Sequence, residues 1–311
     1  MVKNNTTGGV LMRKNKYYFI CLPVLLLLTV LCAQAQDTPS VLPPADAITQ
    51  PVKPLRAYTF TPDTISVFIP LPECFIESGE NRIIDKAGVL APLLERLRLL
   101  RAGALTDTIR IVHIGDSHVR GHIFPDTVGA RLREVFGSVA YTGMGVNGAT
   151  CLTFTHPARI DAITEAHPEL LILSFGTNES HNRRYNSTAH YNQIDELVRL
   201  LRNNLPDVPI ILTTPPGSYE SFRQRGRRRT YSINPRTSIA VDTIRRYADS
   251  HKLAVWDMYT LAGGKAYACK NWKAAGLMRP DHIHYLPEAY ALQGELLFEA
   301  IINAYNDYVT L

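Results

Sequence analysis

Two polar clusters, far apart in the chain, contain the residue types that acyl transfer requires. Ser117 lies in Gly115-Asp116-Ser117-His118, directly after a β-branched run, and a serine just past a strand can present its hydroxyl in a crevice. Asp281 and His284 are three residues apart, a spacing that places both side chains on one face of a helical turn. A base can activate a serine hydroxyl, and an acidic partner can orient that base. Taken alone, each cluster also fits an ordinary helix cap or a common residue pair.

Two further turns carry groups that can stabilise negative charge. Gly145-Val146-Asn147-Gly148-Ala149 follows a predicted strand, and glycine lets the backbone approach a reacting group and offer its N–H. Gly176-Thr177-Asn178-Glu179 follows the next strand, and the Asn178 amide can hold a developing oxyanion. Taken alone, these turns also fit a tight turn and Asx-type turn chemistry.

These turns belong to a chain that alternates between strand and helix. The patterns of apolar residues predict strands at 109–114, 139–141, 170–175, 209–213 and 253–256, and helices at 88–102, 128–136, 157–166, 187–204, 236–250 and 287–305. Such alternation predicts an α/β domain with a five-stranded parallel sheet covered by helices on both faces. Ligands of these sheets bind at the carboxyl ends of the strands. Val67, Ile69 and Leu71 also permit a short edge strand, limited by neighbouring prolines.

In combination and in order, the four clusters resemble the sequence blocks of the SGNH (GDSL-type) hydrolases over roughly residues 86–305. The resemblance implies a three-layer α/β/α sandwich of flavodoxin-like type. It also implies Ser117 as nucleophile, His284 as general base and Asp281 as the carboxylate that orients it. The Ser117 N–H, Gly148 and Asn178 become the oxyanion donors. Neither a metal nor a cofactor is implied.

Details of the blocks narrow the resemblance to the peptidoglycan O-acetylesterase-like branch, which removes acetyl groups from muramic acid in cell walls. His118 and Glu179 depart from the leucine and aspartate that many family members carry there. Only 30 residues separate Ser117 from Asn147, so the carbohydrate-binding-like module that some members insert has no room. The alternatives are a lipase, arylesterase or thioesterase with the same triad, or a non-catalytic envelope binding protein. Asp257, which follows a strand, competes with Asp281 as the orienting acid.

The N-terminal residues predict export. Arg13, Lys14 and Lys16 precede an apolar run from Tyr17 to Cys32, and Ala33-Gln34-Ala35 then offers a cleavage site. We therefore predict a signal peptide over 1–35, a flexible linker over 36–56 and a hydrolase domain with an N-terminal extension over 57–311. The mature protein would be periplasmic or secreted, with no membrane span. A retained anchor or a lipoprotein anchor at Cys32 are the alternatives, although the residues before Cys32 fit a lipoprotein signal poorly.

Positive charge is concentrated in two segments of the chain. Residues 1–35 hold four of the 33 basic residues and no acidic one, which leaves 29 basic against 28 acidic residues, a net charge of +1. The basic balance therefore does not indicate nucleic-acid binding. Five arginines form a polar stretch that predicts either a solvated loop or a contact for an anionic polymer: Arg223, Arg225, Arg227, Arg228 and Arg229.

Three cysteines follow the predicted signal peptide, namely Cys74, Cys151 and Cys269. Because their number is odd, at most one disulfide can form among them. The domain is therefore not a disulfide-stabilised scaffold, and its stability must come from a packed core.

Overall fold

A computed structural model describes residues 63–223 and 228–311. The predicted signal peptide, the linker and the first residues of the predicted domain lie outside the described residues. The strands are β1 Ile83–Ile84, β2 Ile109–Gly115, β3 Val139–Gly145, β4 Leu170–Ser174, β5 Ile210–Thr213, β6 Tyr219–Phe222, β7 Thr230–Ile233 and β8 Ala254–Trp256. The helices are α1 Ala91–Arg101, α2 Ser117–Arg120, α3 Ile123–Phe136, α4 Pro157–Glu165, α5 Thr177–His181, α6 Ser187–Asn204, α7 Pro235–His251, α8 Met258–Leu261, α9 Gly264–Ala274 and α10 Pro287–Thr310, with a 3-10 helix at Cys151–Thr155.

The central sheet has six strands in the order β1-β8-β5-β4-β2-β3. The five predicted strands are all present and parallel to one another. The sixth strand, β1, was not predicted and pairs antiparallel with β8 at one edge. The predicted fold class is confirmed, and the strand count is corrected from five to six.

Helices cover both faces of this sheet because the strands are apolar on both sides. Ile109 and Ile111 of β2 belong to one core cluster, whereas Val112 and Ile114 belong to the other. Helices α1, α3 and α10 pack together on the first face, and α4, α6 and α7 lie on the second. Continuous apolar strands buried on both faces are typical of parallel sheets. None of the helices among the described residues is long and apolar enough to cross a bilayer.

The order of the strands brings three polar turns to one place. β2 lies between β3 and β4, so the chain reverses its direction of travel across the sheet at β2. Gly115 at the end of β2 is in register with Gly145 of β3 and Ser174 of β4. The turns that follow these three strands therefore meet at a topological switch point, where open α/β sheets bind ligands.

The predicted edge strand at Val67, Ile69 and Leu71 is wrong. This segment is extended, and its alternate side chains pack against the core, while Phe68 points to solvent. Its backbone bonds to helix α10 instead of a strand, because the N–H of Ile69 donates to Glu299 at 2.9 Å. Prolines that lack an N–H interrupt it at alternate positions, so a ladder cannot form.

The hairpin β6–β7 and helix α9 are among the elements that were not predicted. Strands β6 and β7 form an antiparallel hairpin whose connection includes the arginine-rich stretch. Helix α9 begins after Gly263, which is its N-cap residue and has a φ of +105°. The sequences of the two hairpin strands show only weak alternation of apolar and polar residues, and a highly charged stretch separates them. Neither strand therefore gives a strong apolar signal.

Candidate active site

Ser117 is the first residue of α2, two residues after strand β2 ends at Gly115. The Asp116 carboxylate caps this short helix by accepting a hydrogen bond of 2.9 Å from the N–H of His118. The helix presses on the end of β3: a Cβ added to Gly145 would lie 2.1 Å from the backbone nitrogen of Arg120. Glycine is therefore required at position 145 for the turn that presents Ser117.

A chain of two hydrogen bonds starts at the Ser117 hydroxyl. Its Oγ lies 2.9 Å from Nε2 of His284, and Nδ1 of the same ring lies 2.9 Å from Oδ2 of Asp281. With a proton on Nδ1, the imidazole donates to the carboxylate and accepts from the hydroxyl. This arrangement can remove the hydroxyl proton and stabilise the imidazolium that forms.

The segment that carries Asp281 and His284 is a turn, and the predicted helical turn is wrong. His282 has a φ of +57°, which is incompatible with a regular helix. Instead, Asp281 Oδ1 accepts hydrogen bonds from the N–H groups of Ile283 at 2.8 Å and His284 at 2.9 Å. The same carboxylate thus shapes the turn with one oxygen and orients the His284 ring with the other.

These hydrogen bonds govern the charge of Asp281. Partial burial raises the pKa of the carboxyl, but the donors from His284 and Ile283 outweigh it and the net pKa lies below the usual range. Asp281 is therefore ionised at neutral pH, as a partner for a transient imidazolium must be.

Gly148 and Asn178 lie on the same cavity as Ser117. Gly148 has a φ of +71° with no atom within 4 Å of an added Cβ, so the backbone conformation explains the glycine there. Asn178 donates through Nδ2 to the Ala149 carbonyl at 2.8 Å and to Asp116 at 3.3 Å. These bonds hold the Asn178 amide in the cavity that Ser117 also lines. The assignment of both residues as oxyanion donors stays a prediction.

The cavity over Ser117 has a volume of about 800 Å³ and is open to solvent. Four sequence segments contribute to it: the α2–α3 region, the turn after β3, helix α5, and the stretch that leads into α10. Its lining consists of Ser117, Arg120, Gly121, Ile123, Asn147, Gly148, Asn178, His181, Arg279, Ile283, His284, Tyr285, Pro287 and Tyr290. The sequence patterns did not predict that Arg120, Arg279 and Tyr290 line the site. Arg120 follows the Ser117 cluster in sequence, and Arg279 precedes the Asp281–His284 cluster.

Behind Ser117 lies a second Asp–His pair that is buried. Burial raises the pKa of Asp116 to about 7 and lowers the pKa of His118 to about 3. His118 Nδ1 lies 2.9 Å from the Tyr290 hydroxyl, and its ring centroid is 5.6 Å from that of His284. Position 118, where the resemblance led us to expect leucine, therefore places a neutral imidazole behind the site.

Glu179, the other departure, fastens the turns around the cavity. Its carboxylate accepts from the N–H of Cys151 and from the N–H of Gly176, each at 2.9 Å. Among residues 63–223 and 228–311, Cys151, Glu179 and His190 are the one group whose donor atoms lie close enough, within 4.8 Å, to hold a metal ion. Burial raises the pKa of the Cys151 thiol well above its usual range, and Glu179 is occupied by backbone donors. We therefore interpret the cluster as structural: it links the segment after β3 to the turn after β4.

Asp257 does not contact His284. Its carboxylate accepts from Thr214 Oγ1 at 2.8 Å and from both the N–H and the hydroxyl of Thr260. Asp257 is thereby the N-cap of α8. The structure therefore places Asp281, and not Asp257, beside the imidazole.

The hairpin packs against the turn that holds Asp281 and His284. The N–H of Tyr219 donates to the His282 carbonyl at 2.9 Å, and the His282 ring contacts the rings of Tyr219 and Tyr231. Arg223, Arg228 and Arg229 at the hairpin end are exposed, whereas Arg225 and Arg227 lie outside the described residues. Contact of these arginines with an anionic polymer stays a prediction. Cys74, Cys151 and Cys269 are all free thiols.

Comparison with known proteins identifies the family. Residues 113–292, more than half of the chain, match the GDSL-like lipase/acylhydrolase family. The chain belongs to this family. Comparison with curated protein sequences gives no match. The predicted resemblance is thus confirmed, and the chain is a carboxylic ester hydrolase of the GDSL (SGNH) type.

Solved structures are similar to this one at low sequence identity, and the first of those compared shares its fold. A peptidoglycan O-acetylesterase superposes with a TM-score of 0.65 at 16% identity, covering 72% of this chain and 99% of the other. A carbohydrate acetylesterase from Sinorhizobium meliloti has a TM-score of 0.47 at 13% identity, covering 63% and 100%. A GDSL-like lipase from Bacteroides thetaiotaomicron has a TM-score of 0.45 at 21% identity, covering 69% and 99%.

Proposed function

We propose that this GDSL hydrolase is an exported serine esterase that removes O-acyl groups, specifically O-acetyl groups, from a cell-wall or other glycan. The observation that carries the proposal is the unbroken chain of 2.9 Å hydrogen bonds from Ser117 through His284 to Asp281. Ser117 and His284, the first two residues of this chain of hydrogen bonds, line the cavity. A nucleophile, an oriented base and an accessible volume are the three parts that ester hydrolysis needs.

In the first half-reaction, His284 Nε2 takes the Ser117 proton while Oγ attacks the ester carbonyl carbon. The carbonyl oxygen becomes an oxyanion, which the Ser117 N–H, Gly148 N–H and Asn178 amide stabilise. Collapse of the tetrahedral intermediate breaks the bond to the alcohol oxygen, and His284 returns the proton to that oxygen. The products are the free alcohol and an acetyl group esterified to Ser117.

In the second half-reaction, His284 takes a proton from water, and the resulting hydroxide oxygen attacks the acyl carbon. The oxyanion forms again in the same place, and the bond to Ser117 Oγ then breaks. His284 returns the proton to Oγ, and acetic acid leaves and ionises in solution. Asp281 remains ionised throughout and stabilises the imidazolium in both halves.

The scarcity of exposed large hydrophobic side chains around the cavity favours a polar alcohol over a lipid. Among the described residues, Ile123 is the one large hydrophobic side chain that is both exposed and part of the cavity lining. A lipase requires a broad apolar surface near its crevice, because such surfaces mark lipid contact. The fold shared with a peptidoglycan O-acetylesterase adds support for a glycan ester.

The exported location rests on the sequence of residues 1–35, and the boundaries of the linker at 36–56 and of the domain at 57–311 are part of the same proposal. A periplasmic or secreted enzyme would encounter cell-wall glycans, whereas a cytoplasmic one would not. The substrate and the location therefore support each other.

Acetate release from O-acetylated peptidoglycan tests the proposal, with p-nitrophenyl acetate assayed in parallel. We expect wild type to hydrolyse both substrates and Ser117→Ala to hydrolyse neither. Ser250→Ala is the matched control and should retain both activities, because it removes an exposed hydroxyl near the end of α7 that lies outside the cavity lining. Activity on the small ester alone would reject the glycan, and folded wild type that is inactive on both would contradict the esterase proposal.

A further inference from the structure

In the part of the chain that the structure describes, two arginines and no carboxylate residue line the cavity over Ser117. Arg120 lies at the end of α2, three residues after the nucleophile, and Arg279 lies two residues before Asp281. Both side chains are exposed, and neither forms an ion pair with any described residue. A guanidinium is charged at every accessible pH, so the described wall of the cavity is positive.

The backbones of both arginines are held firmly. The N–H of Arg120 donates to the Asp116 carbonyl at 2.9 Å, and its backbone packs on Gly145. The N–H of Arg279 donates to the His284 carbonyl at 2.8 Å, and its own carbonyl accepts from the N–H of His282 at 2.9 Å. Each guanidinium therefore extends from a fixed backbone position beside the proposed triad, so that binding an anion must order the side chain alone.

The acids nearest in sequence to these arginines are already occupied. Asp116 is buried and accepts from His118 and Asn178, and Asp281 accepts from its own turn and from His284. The guanidinium groups thus have free N–H donors, which match carboxylate oxygens in geometry and charge.

The proton transfers decide which part of the substrate would meet the arginines. His284 must deliver its proton to the leaving alcohol, so the alcohol lies on the His284 side of the carbonyl. Arg279 is bonded through its backbone to His284 and therefore lies on that side. An anionic group that reaches Arg279 belongs to the alcohol part of the ester and not to the acetyl group.

We propose that Arg120 and Arg279 form a carboxylate-binding subsite that selects acetate esters of alcohols carrying a carboxylate, such as acidic sugars. This inference rests on the proposed function and adds the charge of the substrate to it. Selectivity then arises from attraction to the anion in addition to the fit of the reacting ester.

A matched pair of small esters tests the subsite. The probes are 4-acetoxybenzoate, whose leaving alcohol carries a carboxylate, and 4-acetoxybenzamide, its neutral counterpart. The readout is the ratio of kcat/KM for acetate release from the two, divided by the ratio of their alkaline hydrolysis rates. We expect a normalised ratio above one for wild type. In Arg120→Gln/Arg279→Gln it should fall by about tenfold, the scale of a partly exposed charge-assisted contact.

Arg199→Gln is the matched control, because Arg199 is exposed on α6 and lies outside the cavity lining. It removes the same charge and should keep the wild-type ratio. An unchanged ratio in the double variant, or a wild type that turns over the neutral ester in preference, would overturn the subsite while leaving the esterase intact. Absence of Ser117-dependent release from both esters would instead overturn the proposed function and the subsite together.

Discussion

Two Asp–His pairs flank Ser117, and they differ in nearly every physical respect. The front pair, Asp281 and His284, has side chains that are 45% and 34% exposed. The rear pair, Asp116 and His118, is 1% and 6% exposed. The two imidazoles are neighbours, with ring centroids 5.6 Å apart.

The difference in burial separates their electrostatics. Burial raises the pKa of Asp116 to about 7, because backbone hydrogen bonds and the nearby His284 offset it only in part, and burial lowers the pKa of His118 to about 3. Burial is the largest single influence on the front carboxyl and raises its pKa, but the hydrogen bonds from the His284 and Ile283 backbones and from the imidazole together outweigh it, so the net pKa is lowered. Residue type alone therefore does not define a proton-transfer pair. Access to solvent and donors for the carboxylate decide which pair can cycle through an imidazolium.

The largest expected contrast is between the two histidines. His284→Gln should reduce kcat by roughly 10⁴- to 10⁶-fold, because the serine loses its base. His118→Leu replaces an imidazole that stays neutral with an apolar side chain of similar size. We therefore expect kcat to remain within about tenfold of wild type. Turnover of p-nitrophenyl acetate by both variants measures the contrast. Equal losses would mean that the rear pair shares in the proton transfer.

A smaller effect is expected where the two regions join, at Asn178, which donates to the rear carboxyl Asp116 and faces the front cavity. Asn178→Ala should reduce kcat by about 10²- to 10³-fold, the usual contribution of one oxyanion donor, with KM little changed. Thermal unfolding of the variant controls for loss of structure. Turnover near that of wild type would remove Asn178 from the oxyanion site.

The smallest effect is on stability and has opposite signs for the two carboxyls. Between pH 4 and pH 7 folded Asp116 retains a proton that the unfolded chain releases, so its contribution to the free energy of unfolding falls as pH rises. The difference between wild type and Asp116→Asn should fall by at most a few kcal/mol over this window, at about 1.4 kcal/mol per unit of pKa shift.

Asp281→Asn provides the opposite control. Because the folded pKa of Asp281 is lowered, its contribution is present above the unfolded pKa and is lost as pH falls below about 4. Urea unfolding at pH 4.5 and pH 7.5 should therefore show a flat difference for Asp281→Asn and a falling one for Asp116→Asn. The same trend in both variants would contradict the contrast between the pairs.

Much of the framework follows from local patterns. The apolar periodicity of 187–204 predicted a helix that the structure shows at Ser187–Asn204, and the five parallel strands appear within a few residues of their predicted bounds. Once the strands are parallel and alternate with helices, the turns after β2, β3 and β4 must share one edge. Local sequence therefore indicated where the site lies before its geometry was known.

Features that depend on long-range contacts did not follow. The Asp281–His284 turn owes its shape to carboxylate–backbone bonds, and to the hairpin bonded to it through Tyr219 and His282. The periodicity of apolar residues cannot reveal that a hairpin packs against a loop about sixty residues away in the sequence. The rear pair was equally hidden, because an Asp-Ser-His triplet does not reveal which of its side chains become buried.

Covalent labelling of Ser117 tests the central claim most directly, that the front pair activates this serine. Wild type, His284→Gln and His118→Leu would each be treated with a fluorophosphonate, and the adduct located by mass spectrometry. We expect one adduct on Ser117, formed at similar rates in wild type and His118→Leu and more slowly by at least about 10³-fold in His284→Gln. An adduct on another residue, or equal labelling of His284→Gln, would contradict the account.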